Sequence, residues 1–104
     1  MKGRQAMRFL TRYYVGMQDK DNGLEHNVDD LRLIASEYFE NFTLIKAQGC
    51  YKYTSGAIAN ETTYIVEVFH DEALKHTAFI NDIKKELNQE CVLMYTQNVQ
   101  AYCV

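Results

Sequence analysis

Four stretches of this chain are rich in aromatic and β-branched residues, and two carry apolar residues at helical spacing. Residues 7–16 (Met7-Arg8-Phe9-Leu10-Thr11-Arg12-Tyr13-Tyr14-Val15-Gly16) interleave charges with strand-formers and predict a first strand. The Asp, Asn and Gly content of 19–23 predicts a loop. Asn27 is a good helix N-cap, and Asp29 and Asp30 follow in the first turn, where the helix dipole favours negative charge. Val28, Leu31, Ile34, Ala35 and Tyr38 then recur at helical spacing, so 28–40 is expected to be an amphipathic helix. Residues 42–53 read as a second strand, 54–61 as a hairpin loop opened by Thr54-Ser55-Gly56, and 62–69 as a third strand. Asp71 is placed as the cap of a second helix over 72–87, with Leu74, Ala78, Ile80, Ile83 and Leu87 as its core face and Asn88 ending it. Residues 91–96 form a fourth strand. Asn98 allows a bend before 99–104, a candidate short extra edge strand.

The order β-α-β-β-α-β interleaves two right-handed βαβ units. It predicts an α+β, ferredoxin-like domain over 1–104: a four-stranded antiparallel sheet in the order 4-1-3-2, with two helices on one face. The other face is left open. Tyr51, Tyr53, Tyr64 and Tyr95 are assigned to it, which makes it too apolar to stay fully wet, so a partner subunit or a ligand is expected there. This fold hosts many functions and does not decide among them.

Composition narrows the classes. At 104 residues the core is small, and oligomerisation is a plausible source of stability and of deeper pockets. A net charge of −3 argues against a general nucleic-acid binder. Lys2, Arg4, Arg8 and Arg12 nevertheless precede the first acidic residue, as an arm that could meet a phosphate or simply solvate an edge strand. No run of about 18 apolar residues predicts a membrane span, and no secretory signal is legible. Cys50, Cys91 and Cys103 are odd in number and form no CxxC pair. They read as reduced thiols, the two in strands as buried small hydrophobes, in a cytoplasmic protein. No zinc-ligand spacing, P-loop or GxGxxG is present, so neither metal nor cofactor is expected. His26, His70 and His76 do not cluster into a nucleophilic arrangement.

The candidate chemistry lies at strand ends. Glu61 stands where the hairpin loop enters the third strand, and Glu90 between the second helix and the fourth strand. Each is equally readable as a solvated carboxylate. Glu67 interrupts an apolar strand, either on its solvent side or facing an interface cation. Gly49 allows a bulge or a close backbone approach, and Tyr51 two residues on could stack on an adenine, hold a cation against its ring, or pack on a neighbour. Gln89 offers an amide donor and acceptor just before the last core strand.

Gly49-Cys50-Tyr51, then Glu61 leading Thr62-Thr63-Tyr64-Ile65-Val66, then Gln89-Glu90-Cys91-Val92-Leu93-Met94-Tyr95, resemble in order and spacing the small phage-encoded S-adenosylmethionine (SAM) lyases. The match runs from about residue 42 to 96. The N-terminal third agrees only in coarse pattern, and this chain is expected to be shorter than those enzymes and to lack their C-terminal extension. The resemblance implies a ferredoxin-like homotrimer with active sites between subunits. It implies cleavage of SAM, without water, into methylthioadenosine and homoserine lactone. The short single-domain form also resembles a related lyase of type III CRISPR antiviral defence, which degrades a signal molecule made of SAM joined to AMP. By resemblance, Glu61 and Glu90 would hold the amino group or the sulfonium, Tyr51 would contact adenosine or sulfonium, and Gln89 would orient the substrate. Gly49 and Cys50 would line the site, and Arg8 or Arg12 would meet an AMP phosphate. Two other readings stand beside it. One is a non-catalytic module that binds an adenosine-type ligand or a protein partner on the open face. The other is a phage- or defence-associated inhibitor acting by contact alone.

Overall fold

Strands β1 (Gln5–Gly16) and β3 (Ile58–His70) place a line of apolar side chains on one side of the sheet, and two helices close over it. Tyr13, Val15, Val66 and Val68 come from these strands and Met17 from just beyond β1. Leu31 and Ala35 come from α1 (Val28–Tyr38), Phe39 caps its end, and Phe79 and Ile83 come from α2 (His76–Glu86). Phe79 sits at the centre, edge-on to Tyr13 at 4.8 Å and to Phe39 at 4.9 Å, a favoured aromatic geometry. Strands β2 (Thr43–Lys52) and β4 (Leu93–Cys103) complete an antiparallel sheet in the order β2-β3-β1-β4. This is the expected ferredoxin-like βαββαβ fold, with the expected strand order. The computed structural model describes residues 5–104; Lys2 and Arg4 of the basic arm lie outside them. Among the described residues no helix is long and apolar enough to cross a membrane.

Several local expectations are corrected. Asn27 caps α1 as expected, accepting from the Asp29 N–H at 2.8 Å. Asp71 caps nothing: its carboxylate takes the Arg8 Nε at 2.6 Å, and α2 begins five residues later, after Lys75, with no side-chain cap. The buried face of α2 runs through Phe79, Ile83 and Leu87, and Ala78 is exposed. Ile83 and Leu87 are buried as expected and Leu74 and Ile80 pack against the core, but Phe79, the largest apolar side chain of the helix, takes the place expected of its neighbour Ala78. Strand β4 continues through Asn98 to Cys103, with no separate fifth strand. The irregularity there is a bulge, Val99 and Gln100 facing only Arg8 between the pairs Phe9–Asn98 and Met7–Ala101.

Strand β3 begins at Ile58, so Glu61 lies inside a strand, paired with Gly49, and not at a loop exit. Tyr64 packs against the helix-side core and does not belong to the open face; in β3 the even-numbered residues face the helices. All three cysteines are exposed. Cys50 lies in the far part of the β2–β3 hairpin, where every residue from 50 to 58 is exposed, so no helix covers it.

Candidate functional site

Four chain segments meet at one end of the sheet: the exit of β1, the last part of β2, the start of β3 and the entry to β4. Register pairs Gly16 with Thr63 and Gly49 with Glu61, so all four residues stand on the open face. The Glu61 side chain lies across Gly16. A Cβ at residue 16 would fall 2.4 Å from Glu61 Oε1 and 2.9 Å from its Cδ. Glu61 Oε1 accepts the backbone N–H of Gln18 at 3.2 Å. On the other flank, a Cβ at Gly49 would stand 2.8 Å from Thr63 Oγ1. The two glycines therefore let the Glu61 carboxylate and the Thr63 hydroxyl lie flat against the sheet, each occupying the space a side chain at residue 16 or 49 would take.

Tyr51 is two residues beyond Gly49 on the same face of β2. Its ring is edge-on to Tyr53 at 5.2 Å, and the hydroxyls are 3.2 Å apart. The Tyr51 phenol is raised above its ordinary pKa, chiefly by the hydrogen bond to Tyr53, with the negative charge of Glu61 a smaller cause. Tyr51 is thus a neutral phenol at pH 7 and lies within the field of Glu61. Cys50 points to the opposite face, its thiol donating to Asn60 Oδ1 at 3.3 Å, and does not converge with Glu61.

Gln89 and Glu90 lie in the connection from α2 to β4. Gln89 is 8% exposed, and its Nε2 donates to the carbonyls of Gln18 at 2.7 Å and Leu87 at 2.9 Å. Both amide hydrogens are therefore committed to the chain itself. Glu90 is exposed. Glu90 lies three residues ahead of β4, at the same end of the sheet as Glu61 but outside the strand register that puts Glu61 on the open face.

The arginines stand elsewhere. Arg12 is midway along the open face, its guanidinium 2.8 Å from Glu67 Oε2 and donating to Tyr95 Oη at 2.9 Å. Glu67 thus faces a cation, and that cation belongs to its own chain. Arg8 is eight residues from Gly16 along β1, about 26 Å of extended strand, and within one chain it does not reach Glu61. Between these charged groups the open face is apolar: Ile45, Phe69 and Leu93 are 37%, 40% and 67% exposed, and Tyr14 lies 6.4 Å from Tyr95. A cleft of about 940 Å³ lies at the other end of the molecule, between the end of α1 and the β3–α2 connection; Glu67 is among its lining residues, and Glu61, Glu90, Tyr51 and Gln89 are not. Among the described residues, no group of three or more His, Cys, Asp or Glu is arranged to hold a metal ion.

Gly16, Gln18 and Thr63 were not singled out from the sequence. Gly16 is set beside Glu61 only by the pairing of β1 with β3, which the sequence pattern does not announce. Thr63 reads as an ordinary strand-former, and Gln18 acts through its backbone, which no side-chain pattern announces.

No protein-family model and no curated protein matches the chain. Among solved structures it is similar to a phage SAM lyase in complex with S-methyl-5'-thioadenosine, with a TM-score of 0.68 at 17% identity, covering 99% of this chain and 94% of that chain. It is also similar to a phage SAM lyase in the apo state, with a TM-score of 0.63 at 16% identity, covering 93% and 89%. At these identities the likeness is one of fold. It takes in the N-terminal third, which the sequence blocks do not reach. Little of the neighbouring chain is left unmatched, so the expected shortness of this chain is not seen against it.

Proposed function

We propose that this chain is a carbon–sulfur lyase acting on SAM or on its AMP conjugate. The observation that carries the reading is the placement of Glu61, Gly49 and Tyr51 together at one end of the open sheet face. The overall fold is that of a phage SAM lyase solved with S-methyl-5'-thioadenosine.

The reaction asks little of the protein in covalent terms. The substrate's own carboxylate oxygen attacks its γ-carbon, the carbon–sulfur bond breaks, and the electron pair leaves with the thioether. A sulfonium and a carboxylate are consumed, a neutral thioether and a lactone are formed, and no proton or water is required. Charge falls toward the transition state, so a site that excludes water and folds the methionine chain into a near-attack shape accelerates it. Glu61 and Glu90, at the same end of the sheet, hold the substrate's ammonium and sulfonium. Tyr51, neutral at pH 7, offers its ring face to the sulfonium, a contact of about 0.5–2 kcal/mol.

In a single chain this end of the face is open to solvent. A homotrimer that packs the apolar open face against its neighbours would close it and dry it. Arg8 would then meet the phosphate of an AMP-linked substrate from a neighbouring subunit, and Arg8 or Arg12 would exchange its own carboxylate partner, Asp71 or Glu67, for that phosphate. An AMP-linked substrate would make the protein a degrader of a type III CRISPR signal.

The test is a product assay on protein of measured solution size, incubated separately with SAM and with its AMP conjugate and read by liquid chromatography with mass detection. The expected products are methylthioadenosine, or its AMP-linked form, and homoserine lactone, the faster reaction naming the substrate. Intact substrate in both tubes, from folded protein, overturns the lyase reading. Methylthioadenosine that still binds in that case identifies a non-catalytic adenosine-binding module.

A further inference from the structure

The loop leaving β1 and the loop entering β4 are fastened to each other by consecutive residues on both sides. Gln89 Nε2 donates to the Gln18 carbonyl at 2.7 Å. Asn88 Nδ2 donates to Asp19 Oδ1 and to Asp21 Oδ2, both at 2.8 Å. The Lys20 N–H returns a bond to the Asn88 carbonyl at 3.1 Å. Asn88 holds φ at 48°, a left-handed conformation that asparagine tolerates better than most residues. Asp19 is itself held by the N–H groups of Asp21 and Asn22 and by His26, so the loop side of the clasp is rigid.

This clasp touches both candidate carboxylates without containing either. Gln18, gripped at its carbonyl by Gln89, gives its N–H to Glu61. Glu90 is the residue after Gln89. A buried amide whose two hydrogens both go to backbone carbonyls, at the point where two strands must be aligned, holds position and has little left to offer a ligand.

We propose that Asn88 and Gln89 are positioning residues: by locking the α2–β4 connection to Gln18 and Asp19, they set where Glu61 and Glu90 stand relative to each other. The functional half of this statement rests on the lyase reading; the mechanical half does not. Removing the clasp lets the β4 entry drift against β1, and a drift of about 1 Å in an oriented site costs on the order of 100-fold in rate.

Two substitutions loosen it from different sides. Asn88→Gly keeps the left-handed backbone and deletes the amide. Gln89→Met keeps the length and the burial and deletes both donors. Asp19→Asn, which keeps the shape and removes the charge, serves if either fails to fold. The first readout is the Gln18 amide proton in NMR, its resonance position and its exchange rate, since that N–H reports the bond to Glu61. The second is methylthioadenosine affinity with kcat and KM measured separately. The expected result is a folded variant in which the Gln18 amide moves and exchanges at least about tenfold faster, and in which kcat falls 10- to 100-fold with a smaller change in KM. A folded variant whose Gln18 amide is unchanged overturns the clasp. An altered amide with unchanged kcat and affinity overturns its positioning role. If the wild-type protein neither turns over nor binds, the lyase reading has failed, and the Gln18 amide alone decides whether the clasp governs Glu61.

Discussion

Replacing Gly16 by alanine tests the site with the least damage to the fold. Gly16 is not in the left-handed region, so the backbone accepts a side chain without strain. Strand propensity favours alanine over glycine by roughly 0.5–1 kcal/mol. The new methyl meets only the mobile end of Glu61, at 2.4 Å from Oε1, 2.9 Å from Cδ and 3.1 Å from Oε2. Ordinary contact requires the carboxylate to retreat by about 1 Å or more, which breaks its bond to the Gln18 N–H. That bond is half-exposed and its loss costs on the order of 1 kcal/mol, so it roughly cancels the gain in propensity. Stability should change by less than about 1 kcal/mol, a shift of no more than about 4–8 °C in Tm for a chain of this size. A displacement of this size at an oriented carboxylate costs about 100-fold in rate.

The assay is thermal melting beside product formation, in Gly16→Ala, Glu61→Ala and the double variant. Once Glu61 is alanine the clash has gone, so adding Gly16→Ala should cost little more activity. Full activity in Gly16→Ala refutes the placement of Glu61 as a working carboxylate. Additive losses in the double variant show that Gly16 acts through something other than Glu61. A loss of more than about 3 kcal/mol in stability shows that the Glu61 side chain over Gly16 is fixed by packing and does not give way.

Glu61→Gln and Glu90→Gln should each fold normally and lose about 100-fold or more in turnover, as expected when positioned charge is removed; steady-state kinetics on both substrates checks this. Phe79→Ala should cost about 3–5 kcal/mol, a large part of the 5–15 kcal/mol typical of a domain, whereas Ala78→Ser on the exposed side should stay within about 0.5 kcal/mol; urea denaturation separates the two. The Asp19 carboxyl is held below the usual carboxylate range, first by the Asp21 N–H and then by Asn88, with smaller help from Asn22 and His26. Its contribution is therefore complete above about pH 4, its unfolded value, and is lost as pH falls through the lower folded value. Asp19→Asn should lower the urea midpoint at pH 7, and the gap to wild type should close as the carboxyl becomes protonated in acid.

The fold was legible because its signals are periodic. Aromatic and β-branched runs mark the strands, Asn27 with two aspartates marks the start of α1, and the order of elements leaves few topologies. What failed to read was whatever depends on contact between distant segments. Asp71 looks like a cap until Arg8, 63 positions away, is seen to hold it. Tyr64 looks like its neighbours on the open face until the register with β2 puts it on the other side. Cys50 reads as buried because strand residues flank it, yet the hairpin runs past the helices that would cover it. The site divides along the same line. Glu61, Glu90 and Tyr51 carry side chains whose chemistry can be named from composition. Glu61 and Thr63 lie flat on the sheet because two side chains are missing, at Gly16 and Gly49, and because strand β3 runs between them. An absence of atoms becomes a feature only when pairing sets it beside a carboxylate. For the same reason Gln89, which by its type offers an amide to a ligand, is turned inward by the carbonyl of Gln18, 71 positions earlier.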